Sequence, residues 1–232
     1  NRLMEQRGAT IEDICYPSVK NHKAGMTNPY SQYKKEVTVE EIMASPMIAD
    51  PITVLQCCPQ SDGAAAIILC CGEYYKKHNK KGYRAPVKIA GSVISVSGAE
   101  DASYDPLALQ AMIKGAKDAC EMAGIDAQRD LDVVEMHDAF SGEELAAYEM
   151  LGLCKPGDGV ALARSRAVEL GGRCPVNPSG GLLSMGHPLG ASGVRVVNDI
   201  TRQLWGEAGA NQVIGAKVGM AQMLGGVLTG IE

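Results

Sequence analysis

The sequence has no apolar run that could cross a membrane. Its longest, residues 64–71, falls far short of the roughly 20 residues a membrane helix needs. It also lacks a basic patch. Lys76, Lys77, Lys80 and Lys81 form its largest cationic group and the formal net charge is −5, which argues against a nucleic-acid surface. No CxxC pair and no repeated spacing occurs among the eight cysteines, and no two Cys or His residues stand at the spacing of a ligand pair. That pattern fits neither a disulfide framework nor a zinc site. Cys57, Cys58, Cys70, Cys71 and Cys120 lie in apolar stretches and are expected as buried, reduced thiols of an intracellular protein. The chain opens on Asn1 without a methionine or a signal or transit peptide, so it is expected to begin inside a longer product. Thr229-Gly230-Ile231-Glu232 is unlike a Ser-Lys-Leu peroxisomal address, and a cytoplasmic setting is expected.

With 232 residues, 46% of them hydrophobic, the chain has ample material for one large globular domain. The opening, residues 2–6 and 12–16, reads as polar and helical at first, followed by a turn at Asn28-Pro29-Tyr30-Ser31. Thr38 with Glu41 predicts a capped short helix ended by Ser45-Pro46, the whole segment a surface excursion. Residues 52–55 have strand character, and the small apolar residues 64–69 are expected to pack closely. A domain boundary is expected near Tyr83, and a strand over residues 87–97.

Asp105-Pro106 predicts a helix start, Leu109, Met112, Ile113, Ala116 and Cys120 its apolar face, and Gly124 its C-terminal cap. Residues 131–136 read as a strand covered on both faces, followed by a helix with a Ser141/Glu144 capping box. Residues 154–174 read as a polar connection. Val194, Val197, Ile200 and Leu204 mark a helix over residues 192–205, and residues 213–220 and 226–231 close the chain as strands. The order predicts an α/β layer with helices against a mixed sheet.

Two histidines of the four stand where such a layer binds ligands. His137 follows the buried strand and precedes a helix; His187 lies in a glycine-rich loop before the next helix. Imidazole there can stay neutral and act as base or donor, while helix dipoles favour developing negative charge. The alternative is a turn whose imidazole only caps a neighbour. His22 and His78 sit in charged stretches and are expected as solvated side chains.

His137-Asp138-Ala139-Phe140-Ser141, Asn177-Pro178-Ser179-Gly180-Gly181 and Gly186-His187-Pro188-Leu189-Gly190-Ala191-Ser192-Gly193 resemble, in order and spacing, the C-terminal half of a thiolase. The likeness is greatest to the sterol-carrier-protein branch. Ser61-Asp62-Gly63-Ala64-Ala65-Ala66 resembles the end of the first half, and Asn28-Pro29-Tyr30-Ser31-Gln32 the loop region. The resemblance implies a layered αβαβα fold: residues 1–50 a loop-region tail, 51–83 the end of the N-terminal half, 84–232 the C-terminal domain. It implies an acyl-CoA acyltransferase that makes or cleaves a carbon–carbon bond beside a CoA thioester. Coenzyme A enters as substrate, with no metal and no other cofactor.

By the same resemblance His187 activates a nucleophilic cysteine and helps bind the thioester oxygen, and His137 positions a water or donor for the second oxyanion. Ala139 and Phe140 line the acyl pocket, Cys58 lies near the pantetheine arm, and Gly190, Gln222 and Leu224 contact substrate. Asp138 orients a neighbour. The family's nucleophile belongs to the first half, and none of the eight cysteines matches it. Gln222 stands where many thiolases carry an acid/base cysteine, and Ala139 where the sterol-carrier branch has one. An amide cannot shuttle a proton near neutral pH, so two alternatives stay open: a retro-aldol acyl-CoA lyase or specialised thiolase with a zinc-ribbon/OB-fold partner, and a non-catalytic acyl-CoA-binding subunit. A homodimer, or a hetero-oligomer with an N-terminal thiolase half, is implied.

Overall fold

The computed structural model describes residues 1–79, 84–96, 105 and 107–225. Its helices are α1 (Arg2–Arg7), α2 (Ile11–Gly25), α3 (Val39–Ala44), α4 (Gly72–His78), α5 (Gln110–Ala123), α6 (Ala127–Asp130), α7 (Ser141–Met150), α8 (Gly159–Arg164), α9 (Gly181–Met185) and α10 (Leu189–Trp205). Strands β1 (Met47–Ala49) and β2 (Ile52–Thr53) pair antiparallel; β3 (Val133–Glu135) and β4 (Gly219–Ala221) pair parallel.

β3 is the middle of a layered arrangement. All three of its residues are buried, as the apolar run predicts for a strand covered on both faces. Val134 belongs to the main core with Ile14, Met112, Leu145, Tyr148, Leu151 and Val160, which brings α2, α5, α7 and α8 to one side. Val133 packs with Ile200, Val213 and Ala216 on the side of α10. The mixed α/β arrangement of helices against a small sheet is thus present.

α2 overturns the expectation of a surface excursion. Thr10 accepts the Asp13 N–H and Asp13 accepts that of Thr10, so a capping box starts a helix that continues to Gly25. Lys20, Asn21 and His22 are buried in it. Hydropathy assigns such residues to solvent, but buried partners satisfy Lys20 and Asn21, which removes the penalty for burying them. α3 has the predicted Thr38/Glu41 box and ends at Ser45.

Other expectations need correction. α7 has no Ser141/Glu144 capping box: Phe140 is the cap residue, Ser141 receives Gln56 Nε2, and Glu144 turns inward. α5 begins at Gln110; Asp105 accepts the Leu107 N–H, and Pro106 lies outside the described residues. Gly124 does cap α5, at φ 71°. The connection 154–174 contains α8, and the line buried on α10 is Ser192, Val196, Ile200 and Gln203. Residues 213–220 yield only the start of β4, because Val213 is held by Gln203 instead of a strand. The expected strand at 226–231 and the boundary at Tyr83 lie outside the described residues.

Residues 64–69 are mostly exposed and outside regular structure, as Ile68 at 97% and Leu69 at 67% exposure show. The stretch 87–96 alternates half-buried and exposed from Gly91 onward yet joins no ladder among the described residues, and Ser97 lies outside them. It lies against α5 so closely that a Cβ on Gly91 would come within 2.5 Å of the Ala119 carbonyl. A strand's alternation is there, without the partner that a ladder requires. Cys70 and Cys71, expected buried, are exposed with this region; all eight cysteines are free.

Candidate active site

The chain leaves β3 through Met136 into His137, and the exit is pinned from both sides. Asn177, at φ 51°, donates its N–H to the Val134 carbonyl at 2.8 Å and accepts the Met136 N–H on its side-chain oxygen at 2.8 Å. From the far side, Gln222 donates its N–H to the Glu135 carbonyl at 2.9 Å, and its side-chain oxygen accepts the His137 N–H at 3.1 Å. His137 Nδ1 lies 2.6 Å from Glu143 Oε1, with the two side chains 13% and 18% exposed.

His187 is set by the turn before α10. Its N–H donates to the Pro59 carbonyl at 3.1 Å. Gly186, at φ 97°, brings the backbone so near Ser61 that a Cβ would meet the Ser61 oxygen at 2.4 Å. His187 Nδ1 is 2.8 Å from Ser192 Oγ, which donates to the Pro188 carbonyl at 3.1 Å. Ser192 has one proton, so when that proton points to the Pro188 carbonyl the oxygen accepts from Nδ1. In that arrangement Nδ1 carries the ring's proton and Nε2 a lone pair, the state of a general base. Burial, then His137 and then Arg195, hold the imidazole below the ordinary histidine range.

The two imidazoles meet edge to face, with ring centroids 5.1 Å apart and planes at 80°. His187 lines a cleft of about 920 Å³ together with Cys58, Pro59, Ser61 and Gly190. Burial pushes the Cys58 thiol up to about 11, so it stays protonated near neutral pH. Ser61 Oγ is buried in that wall with no hydrogen-bond partner among the described residues.

The other predicted residues are distributed around this centre. Ala139 is buried, and its carbonyl accepts the Cys58 N–H at 2.8 Å. Phe140 is half exposed at the start of α7, and Leu224 packs partly buried against the main core. Asp138 accepts Leu182 N–H at 2.6 Å, Leu183 N–H at 3.4 Å and Asn21 Nδ2 at 2.8 Å, so its carboxylate holds the start of α9. Burial, reinforced by Glu144, raises it well above the usual carboxylate range. His22 corrects its expectation: it is 1% exposed and stacked on Tyr33, since α2 turns it inward, whereas His78 is exposed. Among the described residues no group of three His, Cys, Asp or Glu side chains could hold a metal ion.

Sequence reasoning missed the layer beneath. Glu144 receives Lys20 at 2.9 Å, Asn21 at 2.7 Å, Asn177 at 2.8 Å and Tyr148 at 2.6 Å. Glu135 accepts Ser179 N–H at 2.9 Å and its hydroxyl at 2.7 Å, with Arg195 4.0 Å away and Arg195 paired to Asp199 at 2.9 Å. The partners of Glu144 include Asn21, 123 positions away in the chain, and its neighbour Lys20, beyond any local pattern. Ser192 was findable, as a hydroxyl in the first turn of the helix that follows His187. Glu143 gave no signal, because six positions from His137 matches no motif.

The profile of the thiolase C-terminal domain-like family matches residues 80–230. Sterol carrier protein 2 of Oryctolagus cuniculus is 44% identical over 224 residues, covering 96% of this chain and 41% of that protein. An acetyl-CoA acetyltransferase of Methanothermobacter thermautotrophicus is 40% identical over 227 residues, covering 97% and 58%. The benzoylsuccinyl-CoA thiolase subunit BbsB of Thauera aromatica is 37% identical over 226 residues, again covering 97% and 58%. The chain thus spans between 41% and 58% of the length of these curated relatives. Among solved structures, the Ltp2-ChsH2(DUF35) aldolase matches with a TM-score of 0.79 and 23% identity, over 93% of this chain and 56% of that one. The Bacillus anthracis acetyl-CoA acetyltransferase matches with a TM-score of 0.59 and 21% identity, over 87% and 51%. These two likenesses establish a shared layered α/β fold.

Proposed function

Because this chain belongs to the thiolase C-terminal domain-like family, we propose that it supplies the proton-handling half of an acyl-CoA acyltransferase that makes or cleaves a carbon–carbon bond beside a CoA thioester. The observation that carries this reading is the edge-to-face pair of His137 and His187 at 5.1 Å, with His187 in the wall of the cleft. His187 Nε2, kept as a lone pair by Ser192, takes the proton of a cysteine thiol supplied from outside these 232 residues. Cys58, a protonated thiol, suits contact with the pantetheine arm and not attack on the thioester. Gly190, in the lining of the cleft, gives the CoA tail close backbone approach. Ala139, Phe140 and Leu224 are assigned to the acyl side, Gln222 to the placement of His137.

A retro-aldol acyl-CoA lyase is the second reading. Gln222 and Ala139 favour it, since the amide of Gln222 is engaged by the His137 backbone and neither side chain moves a proton. Under that reading a partner of the zinc-ribbon/OB-fold kind completes the enzyme, in keeping with the DUF35 component of the Ltp2-ChsH2(DUF35) aldolase. A dimer or hetero-oligomer, a cytoplasmic setting and a place in lipid metabolism belong to the same proposal.

Acetoacetyl-CoA cleavage by the full-length protein, with and without free CoA, tests it. CoA-dependent cleavage is the expected result. Cleavage of a β-hydroxyacyl-CoA without need of CoA would replace thiolysis by the lyase reading, and turnover of neither substrate would sink both.

A further inference from the structure

We infer that Glu143 is a positioning residue that makes His137 the second acid/base of this site, in place of the cysteine the chain lacks. This rests on the acyl-CoA reading above, and it changes the role of His137 from a neutral donor to a proton carrier.

His137 Nδ1 and Glu143 Oε1 are in contact at 2.6 Å. A carboxylate only accepts, so the nitrogen facing it carries a proton. In the neutral ring that leaves Nε2 as a lone pair; among the described residues Nε2 has no hydrogen-bond partner. A neutral imidazole in this state cannot donate to an oxyanion through Nε2. It can take a proton there, and the imidazolium that forms lies directly against the Glu143 charge, which stabilises it as a carboxylate does in a Ser-His-Asp triad.

The groups facing the ring support this division of work. Glu143 approaches from the first turn of α7, the His187 ring from the loop before α10, and Gln222 contacts only the backbone N–H. Gln222 is neutral and unable to carry a proton. Among the described residues His187 has no acidic partner: its Nδ1 meets the neutral hydroxyl of Ser192. Of the two imidazoles, only His137 has a carboxylate in contact among the described residues. The pair is rigid, since both side chains are largely buried and the His137 backbone is tied to Gln222.

In the proton-transfer step the C–H bond next to the thioester breaks, an N–H bond forms at His137 Nε2, and the electron pair moves onto the thioester oxygen as an enolate. In the cleavage direction the imidazolium returns the same proton to the carbon of the departing enolate.

Glu143→Leu and Glu143→Gln separate the outcomes, read by 15N NMR of the His137 ring and by exchange of α-protons of acetyl-CoA in heavy water, both in the full-length protein. In E143L the neutral His137 ring shifts towards the Nε2–H form that free imidazole side chains prefer, while His187 keeps its tautomer and reports that the fold is intact. The kcat of exchange falls by about tenfold or more with KM within about twofold. E143Q, whose amide oxygen still accepts from Nδ1, keeps the wild-type tautomer and recovers part of the rate. An unchanged His137 tautomer or an unchanged exchange rate in E143L would overturn the inference. Absence of exchange in the wild-type protein would instead refute the acyl-CoA reading, while the tautomer measurement still decides the pairing.

Discussion

Ser192 decides which nitrogen of His187 is basic. With its single hydroxyl proton on the Pro188 carbonyl, the side of Ser192 that faces His187 accepts from Nδ1. Replacing Ser192 by Ala frees the ring to take the other tautomer, and turnover is expected to fall roughly tenfold or more, with little change in KM. Wild-type kinetics in S192A would show that the tautomer is held by other means. The pH dependence follows from the same imidazole. Burial, His137 and Arg195 keep it below the ordinary value of 6.5, so the basic limb of activity persists below that pH and is lost only as pH falls through the lowered midpoint.

At the scale of elements, α2 and α7 are joined through charge as well as through packing. Lys20 on α2 and Glu144 on α7 are 2.9 Å apart, with side chains 6% and 0% exposed. Neither ion can return to water, and the Glu144 carboxylate is further held by Asn21, Asn177 and Tyr148. Such a pair adds little over an apolar contact when intact, but removing one partner leaves a buried charge alone. Glu144→Gln should therefore cost about 3–5 kcal/mol in urea unfolding, well above a surface substitution. A cost under about 1 kcal/mol would mean that water reaches Lys20 and the clamp is looser than its geometry.

For the molecule as a whole, buried carboxyls set the response to pH. Burial chiefly, with the Asp199 charge adding to it, pushes Glu135 from 4.5 up to about 7, and burial also raises Asp138 and Asp199. Between 4.5 and about 7 native Glu135 holds a proton that the unfolded chain has released, so stability falls as pH rises through that window. His187 acts in the opposite sense, destabilising the fold as pH falls below 6.5, because only the unfolded chain then takes up the proton. In Glu135→Gln the melting temperature should decline less across the Glu135 window than in the wild type; identical slopes would show that Glu135 does not set it.

The sequence by itself determined the buried strand at β3, the start of α3, the end of α5 and the two histidines that follow β3 and precede α10. Each of these rests on residues close in the chain: Val133 and Val134 side by side, Thr38 with Glu41, Gly124 after α5, His137 directly behind a strand. Only the tertiary structure decided which polar residues lie inside and which group faces Nδ1 of each active-cleft histidine. His22 reads as a surface residue, and Glu144 as a cap, until α2 and α7 come together and bury both. Glu143 and Gln222 reach His137 from α7 and from the segment after β4. Burial of a polar group is favourable only when partners from distant parts of the chain arrive together, and hydrophobic periodicity carries no record of that meeting.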